Sequence, residues 1–230
     1  MNGSVVSPGV RARVRNVAVP IALAFGRLGL TPNHLTLIGF GIAVIAAYAT
    51  SRGAWVAAAL LVILGGVFDL FDGALARATD RVSRVGAFLD SVFDRAGEAV
   101  LFIGIGVGCV AAGFNTGTVL AAGAMAASFM VSYTRAKSES LGFTPGTGMA
   151  NVGLAPREVR LVLVTLGLLL TGWNGGIVAP ITVAGLVDMT WWAGRPVLAG
   201  TLGLITILAT ITTIQRIVHV IRQPASKEQE

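Results

Sequence analysis

The chain has 230 residues, 54% of them hydrophobic and 12% charged, with a mean hydropathy of +0.79 and a net charge of +6. So apolar a composition excludes an ordinary soluble domain and predicts an integral membrane protein. One cysteine, Cys109, excludes an internal disulfide framework and reads as a small core residue.

No polar linker or repeat divides the chain, which predicts a single domain over residues 1–230. The first residues mix three arginines with small polar side chains, and no cleaved signal peptide is expected. Residues 8–29 begin basic and continue apolar, interrupted by Pro20, and predict an amphipathic juxtamembrane helix with Arg11, Arg13 and Arg15 near anionic headgroups. Thr31-Pro32-Asn33-His34 is a helix-start signal, and Leu35 to Thr50 is the first predicted span. After a short turn at Ser51 to Gly53, spans are predicted from Ala54 to about Ala78 and from Arg84 to about Ala112. Beyond an uncharged turn at Gly113 to Gly117, two more follow, Thr118 to about Ser138 and Arg157 to about Thr171. Between them, 140–156 is an irregular loop rich in Gly, Pro and Thr. Residues 172–195 hold an apolar run too short to span, and read as a re-entrant or interfacial segment with tryptophans at headgroup level. The last span runs from Pro196 to about Val220, before a polar tail at 222–230.

The expected fold is therefore all-α, a six-span bundle over residues 30–221. Of the 17 Lys and Arg, all but Arg52 and Arg195 fall in the terminal stretches or the two inner loops with their flanking helix ends. The positive-inside rule then places both termini and the inner loops in the cytoplasm, in a multi-pass protein of a bacterial-type cytoplasmic membrane. Basicity so distributed reflects topology and phosphate binding rather than nucleic acid.

The inner ends of the second and third spans concentrate acid. Asp69 and Asp72 are spaced i, i+3 and Asp90 and Asp94 i, i+4, so each pair projects from one helix face. If these helices pack antiparallel through the turn from Thr79 to Arg84, four carboxylates meet, which is tolerable only with cations among them. Carboxylate-only ligation suits Mg²⁺ or Mn²⁺ rather than zinc. Gly73, Ala74, Ala76, Ala78 and Gly86 leave room for a bulky anion, and Arg77 is placed to meet a phosphate. Glu98 continues the stripe at i+4 from Asp94, as a structural carboxyl or a support for the metals.

The run Asp69-x-x-Asp72-Gly73-x-x-Ala76-Arg77, eight residues, then Gly86-x-x-x-Asp90-x-x-x-Asp94 resembles the signature of the CDP-alcohol phosphotransferases. That resemblance implies membrane enzymes that move a substituted phosphate from a CDP-alcohol to a hydroxyl acceptor and release CMP. It implies two Mg²⁺ sites, with Mn²⁺ as an alternative, held by Asp69, Asp72, Asp90 and Asp94, with Asp94 also the general base. It implies CDP-alcohol contacts from Pro32, Asn33, His34, Gly73, Arg77 and Ser83, although Pro32 to His34 also read simply as a helix cap. Homodimers are implied as well; Gly104, Gly106 and Gly108 offer a small-residue face that permits close helix packing.

Outside the signature, Ser132 to Lys137 with Glu139, Arg157-x-x-Arg160-Leu161 and Gln215-Arg216 resemble the branch that makes phosphatidylinositol phosphate. This implies CDP-diacylglycerol as donor and an inositol phosphate as acceptor, its phosphate bound by Arg135, Arg157 and Arg216. Glycerol 3-phosphate or another alcohol is the alternative acceptor, and a cation transporter the alternative of a different class.

Overall fold

The computed structural model describes residues 8–143, 152–177 and 194–223, and in the first helix the side chains from Val17 onward. Seven α-helices make up the described residues: α1 (Pro8–Arg27), α2 (Pro32–Ser51), α3 (Trp55–Ala78), α4 (Arg84–Ala111), α5 (Asn115–Ser140), α6 (Arg157–Trp173) and α7 (Arg195–Ile221). No strand occurs among them.

Local chemistry explains the boundaries. Thr31 caps α2, its hydroxyl accepting the His34 N–H while Nδ1 of His34 accepts the Thr31 N–H, and Pro32 fills the first helical position. Ser83 caps α4 by accepting the Gly86 N–H at 3.0 Å. Gly113, at φ 64°, turns the chain so tightly that α5 starts at Asn115 rather than at the expected Thr118.

α2, α3, α5 and α7 are each long and apolar enough to cross a membrane. Their outward faces, with those of α4 and α6, carry exposed aliphatics such as Leu60, Ile63, Ile103, Val107, Leu166 and Ile207. Such a surface belongs in lipid, and the protein is an integral membrane protein.

Packing closes a ring. α2 lies against both α3 and α4, α4 against α5, α5 against α7, α7 against α6, and α6 returns to α3, while α1 docks on α3. The expected approach of α3 and α4 is narrow: each packs along its length on α2, and the two meet chiefly through their acidic side chains. Glycines explain the arrangement. A Cβ on Gly104 or Gly108 of α4 would strike the Ala47 or Thr50 carbonyl of α2, whereas one on Gly39 or Gly65, where α2 meets α3, would make only ordinary contacts. Gly104 and Gly108 are thus spent within the chain and offer no face to a second copy.

Trp55, Leu101, Ile105, Leu168, Leu202 and Ile205 fill one end of the ring. At the other end converge the C-termini of α3, α5 and α7 and the N-termini of α2, α4 and α6. α1 is anchored there by Ala18 and Ala22 against Leu35 and Leu75, and by Phe25 against Phe68 and Phe71. Of the segment expected to be re-entrant, residues 178–193 lie outside the described residues; its ends meet where the Gly194 N–H donates to the Gly176 carbonyl at 2.7 Å. Much of the 140–156 loop, the tail from 224 and the side chains of Arg11, Arg13 and Arg15 also lie outside them.

Candidate active site

The polar end of the ring gathers the acidic residues from two helices. Single carboxylate oxygens of Asp69 and Asp72 on α3 and Asp90 on α4 lie within 4.8 Å of one another. Asp72 is buried, and its Oδ2 accepts a hydrogen bond from Thr36 Oγ1 at 2.8 Å. Thr36 stands one turn into α2, beyond the cap formed by Thr31, so the start of that helix orients a carboxylate on its neighbour.

Asp94 joins the group through an arginine. Nη1 of Arg157, the first residue of α6, lies 2.7 Å from Asp69 Oδ2, and Nη2 lies 2.8 Å from Asp94 Oδ1. One planar fork thus bridges α3 and α4, a geometry lysine cannot reproduce. Arg95 is also near, 3.6 Å from Asp94. Four carboxylates against two cations leave a surplus of negative charge. An all-oxygen donor set, without His or Cys in the cluster, fits hard divalent cations.

Beside the cluster opens a cavity of about 270 Å³, bordered by Asp72 and Asp90 on one side and by Asn33, Arg77, Arg81 and Ser83 on the other. Its small residues have local reasons. A Cβ on Gly73 would lie 3.1 Å from Arg77 Nη1, and one on Gly86 would lie 3.0 Å from Ser83 Oγ and 3.4 Å from Asn33 Oδ1. Glycine at these positions therefore keeps an arginine and an amide free to face the cavity. Pro32, Asn33, Gly73, Arg77 and Ser83 all line it. His34 does not, since its ring is turned back onto Thr31 in the cap.

The three arginines expected around an acceptor phosphate are placed differently from one another. Arg157 is on the aspartates. Arg135 is half-exposed and pairs with Glu139 one turn along α5 at 2.8 Å. Arg216 is buried, its Nε donating to the Val152 carbonyl at 3.0 Å and its Nη1 to the Val131 carbonyl. Arg135 and Arg160 lie within electrostatic reach of Arg216, so positive charge does collect on this side of the site. Among the described residues, Arg216 has no carboxylate as a hydrogen-bond partner, unlike Arg157 and Arg135.

Sequence reasoning missed Thr36 and the partner of Glu98. The Glu98 carboxylate is held by Arg160 in a bidentate pair, both contacts 2.8 Å, which makes it a structural carboxyl rather than a support for the metals. A charge on an apolar helix was the signal available; the identity of its partner was not.

The chain is similar to proteins of known name. The family profile for CDP-alcohol phosphatidyltransferase matches residues 29–222. An archaetidylinositol phosphate synthase of Pyrococcus horikoshii is 34% identical over 168 residues, 73% of this chain and 85% of that one. A phosphatidylinositol phosphate synthase of Streptomyces avermitilis is 32% identical over 222 residues, 95% of this chain and 83% of that one. Among solved structures, the phosphatidylinositol phosphate synthase of Mycobacterium tuberculosis with CDP-DAG bound superposes with a TM-score of 0.74 at 26% identity, covering 94% of this chain and 98% of that one. The same enzyme in complex with manganese and citrate gives 0.73. With the aspartate signature, its cavity and these likenesses in agreement, the chain belongs to the CDP-alcohol phosphatidyltransferase family.

Proposed function

We propose that this protein transfers the phosphatidyl group of CDP-diacylglycerol to a hydroxyl of an inositol phosphate, giving phosphatidylinositol phosphate and CMP. The observation that carries the reading is the fork of Arg157 between Asp69 and Asp94, beside a cavity that carries Asn33 and Arg77. The relatives' crystal structures with CDP-DAG and with manganese support the donor and the metal.

Asp69, Asp72, Asp90 and Asp94 would hold the divalent cations, Mg²⁺ or Mn²⁺, which when bound neutralise the pyrophosphate and the departing CMP. Thr36 fixes the orientation of Asp72 in that set. In the cavity, Arg77 meets a donor phosphate, Asn33 and Ser83 border the nucleotide, and Gly73 and Gly86 let it approach. Arg157 receives the acceptor phosphate on the N–H groups that Asp69 and Asp94 leave over, its Nε among them. Because its fork touches Asp94, the acceptor hydroxyl comes to lie beside a carboxylate oxygen. Asp94 takes the hydroxyl proton; the alkoxide oxygen bonds to the phosphorus that carries diacylglycerol, and the bond from that phosphorus to the CMP oxygen breaks, its electron pair leaving with CMP. Arg135 and Arg216 add positive charge on the acceptor side.

In the membrane, α2 to α7 form the six spans of a single domain, and α1 lies along the surface. The distribution of Lys and Arg supports cytoplasmic termini and a cytoplasmic active site. The test is CMP release by the purified protein with CDP-diacylglycerol and Mg²⁺, comparing inositol phosphate, glycerol 3-phosphate and free inositol. Release with inositol phosphate alone is expected. Release only with glycerol 3-phosphate or with free inositol overturns the acceptor, and release with none overturns the donor.

A further inference from the structure

Beneath the aspartates lies a second, buried pair of charges that the reaction itself does not use. Arg160 Nε and Nη2 meet Glu98 Oε1 and Oε2 at 2.8 Å each, and the two side chains are only 1% and 8% exposed. The remaining terminal nitrogen of Arg160, Nη1, donates to the Ala155 carbonyl at 3.0 Å, and the Ala155 N–H donates in turn to Thr212 Oγ1 of α7 at 2.9 Å. Each of the three guanidinium nitrogens of Arg160 therefore has a partner inside the protein, and the side chain is 1% exposed.

Position gives the pair its meaning. Glu98 stands one turn after Asp94 on α4, and Arg160 one turn after Arg157 on α6. The contacts Asp94 to Arg157 and Glu98 to Arg160 are thus two rungs between the same helices, one at the site and one below it. Arg157 needs such support. It is the first residue of α6, Pro156 before it provides no side-chain cap, and a cation at a helix N-terminus opposes the helix dipole. Arg160 supplies two further ties, a second one to α4 through Glu98 and one to the preceding backbone through Ala155. Buried ion pairs are poor sources of stability, since well-packed apolar replacements often match them.

We propose that Glu98 and Arg160 are a positioning pair, holding the first turn of α6 in register with α4 so that Arg157 presents its fork to Asp69 and Asp94. As regards the acceptor phosphate, this rests on the function proposed above. The pair is neutral as a unit, so removing both members adds no net charge at the aspartates. The cycle with Arg157→Ala separates an effect carried by Arg157 from one that reaches the site through Arg216 or α7.

The experiment is a double-mutant cycle on the full-length protein, combining Glu98→Met/Arg160→Met with Arg157→Ala. Mn²⁺ affinity is read by the resonance of free Mn²⁺, and CMP release gives separate KM values for donor and inositol phosphate. Arg157→Ala removes a cation from two carboxylates and tightens Mn²⁺ binding; the Met/Met variant shifts it in the same direction. Both raise the acceptor KM by about tenfold to a hundredfold, the equivalent of one charged hydrogen bond, and leave the donor KM within about twofold. In the Arg157→Ala background, the Met/Met change adds less than about twofold to either readout. Wild-type Mn²⁺ affinity in the Met/Met variant, or effects that multiply with Arg157→Ala, overturns the proposal. Should the Met/Met protein not fold, Arg160→Lys keeps the charge but loses the fork and the Ala155 tie, and the same cycle is run with it. A wild type inactive with inositol phosphate removes the acceptor reading alone, and the Mn²⁺ cycle still decides the positioning.

Discussion

Thr36→Val removes the hydroxyl that orients Asp72. Valine keeps the branched shape of threonine, so α2 and its packing on α3 are preserved. What is lost is the 2.8 Å hydrogen bond to Asp72 Oδ2, between residues 8% and 7% exposed, where water does not readily replace it, together with a longer contact of the same hydroxyl to the Pro32 carbonyl at 3.2 Å. A hydrogen bond to a charged group contributes about 1.5–3 kcal/mol. Part of that loss falls on the fold and part on the orientation of Asp72 within a cluster whose oxygens lie inside 4.8 Å. Loss of a group that orients a metal ligand weakens metal binding by about tenfold to a hundredfold. Titration of the purified variant with Mn²⁺, followed by the resonance of free Mn²⁺, is expected to show a midpoint displaced by at least about tenfold. CMP release at saturating Mg²⁺ should largely recover. A midpoint within about twofold of wild type, in a protein that still folds, would refute the reasoning that Thr36 sets the Asp72 geometry.

Asp94→Asn should abolish CMP release while leaving donor binding and the fold nearly unchanged; substantial residual turnover would remove Asp94 as the base. Arg216→Met should lower the unfolding midpoint, because the Val152 and Val131 carbonyls lose their buried donors, and should raise the acceptor KM while sparing the donor KM. Kinetics and thermal unfolding of the same sample separate the two effects. Gly104→Ala drives a Cβ into the Ala47 carbonyl and should cost about 1–3 kcal/mol of stability without changing the acceptor preference of the folded fraction. Chelation of divalent metal should stop CMP release and lower the unfolding midpoint, since Arg157 and Arg95 alone then face four carboxylates.

The helices were legible because apolar runs separated by glycine turns and polar caps leave few alternatives in a membrane. Thr31 with Pro32 before one run and Ser83 before another mark helix starts that the structure reproduces to within a residue or so. The acidic cluster was legible because aspartates at i, i+3 and i, i+4 are costly on apolar helices without a shared purpose. Partners distant in the chain were not. Thr36 and Asp72 are 36 residues apart, and Glu98 and Arg160 are 62 apart; only the packing of α2 on α3 and the closure of the ring that turns α4 toward α6 bring them together. His34 shows the opposite case, since a ring that could have faced a nucleotide closes its own helix cap. Gly104 and Gly108 looked like a face for a second copy but serve the crossing of α4 over α2, a distinction that depends on which helix lies opposite.

The central claim is that this site joins a phosphatidyl group to an inositol phosphate. The most direct measurement is the mass of the lipid formed when the purified protein is incubated with CDP-diacylglycerol of known acyl chains, Mg²⁺ and inositol phosphate. The account predicts one new lipid, phosphatidylinositol phosphate with the acyl chains of the donor, in step with CMP. Phosphatidic acid, the product of attack by water, or no new lipid at all would contradict it.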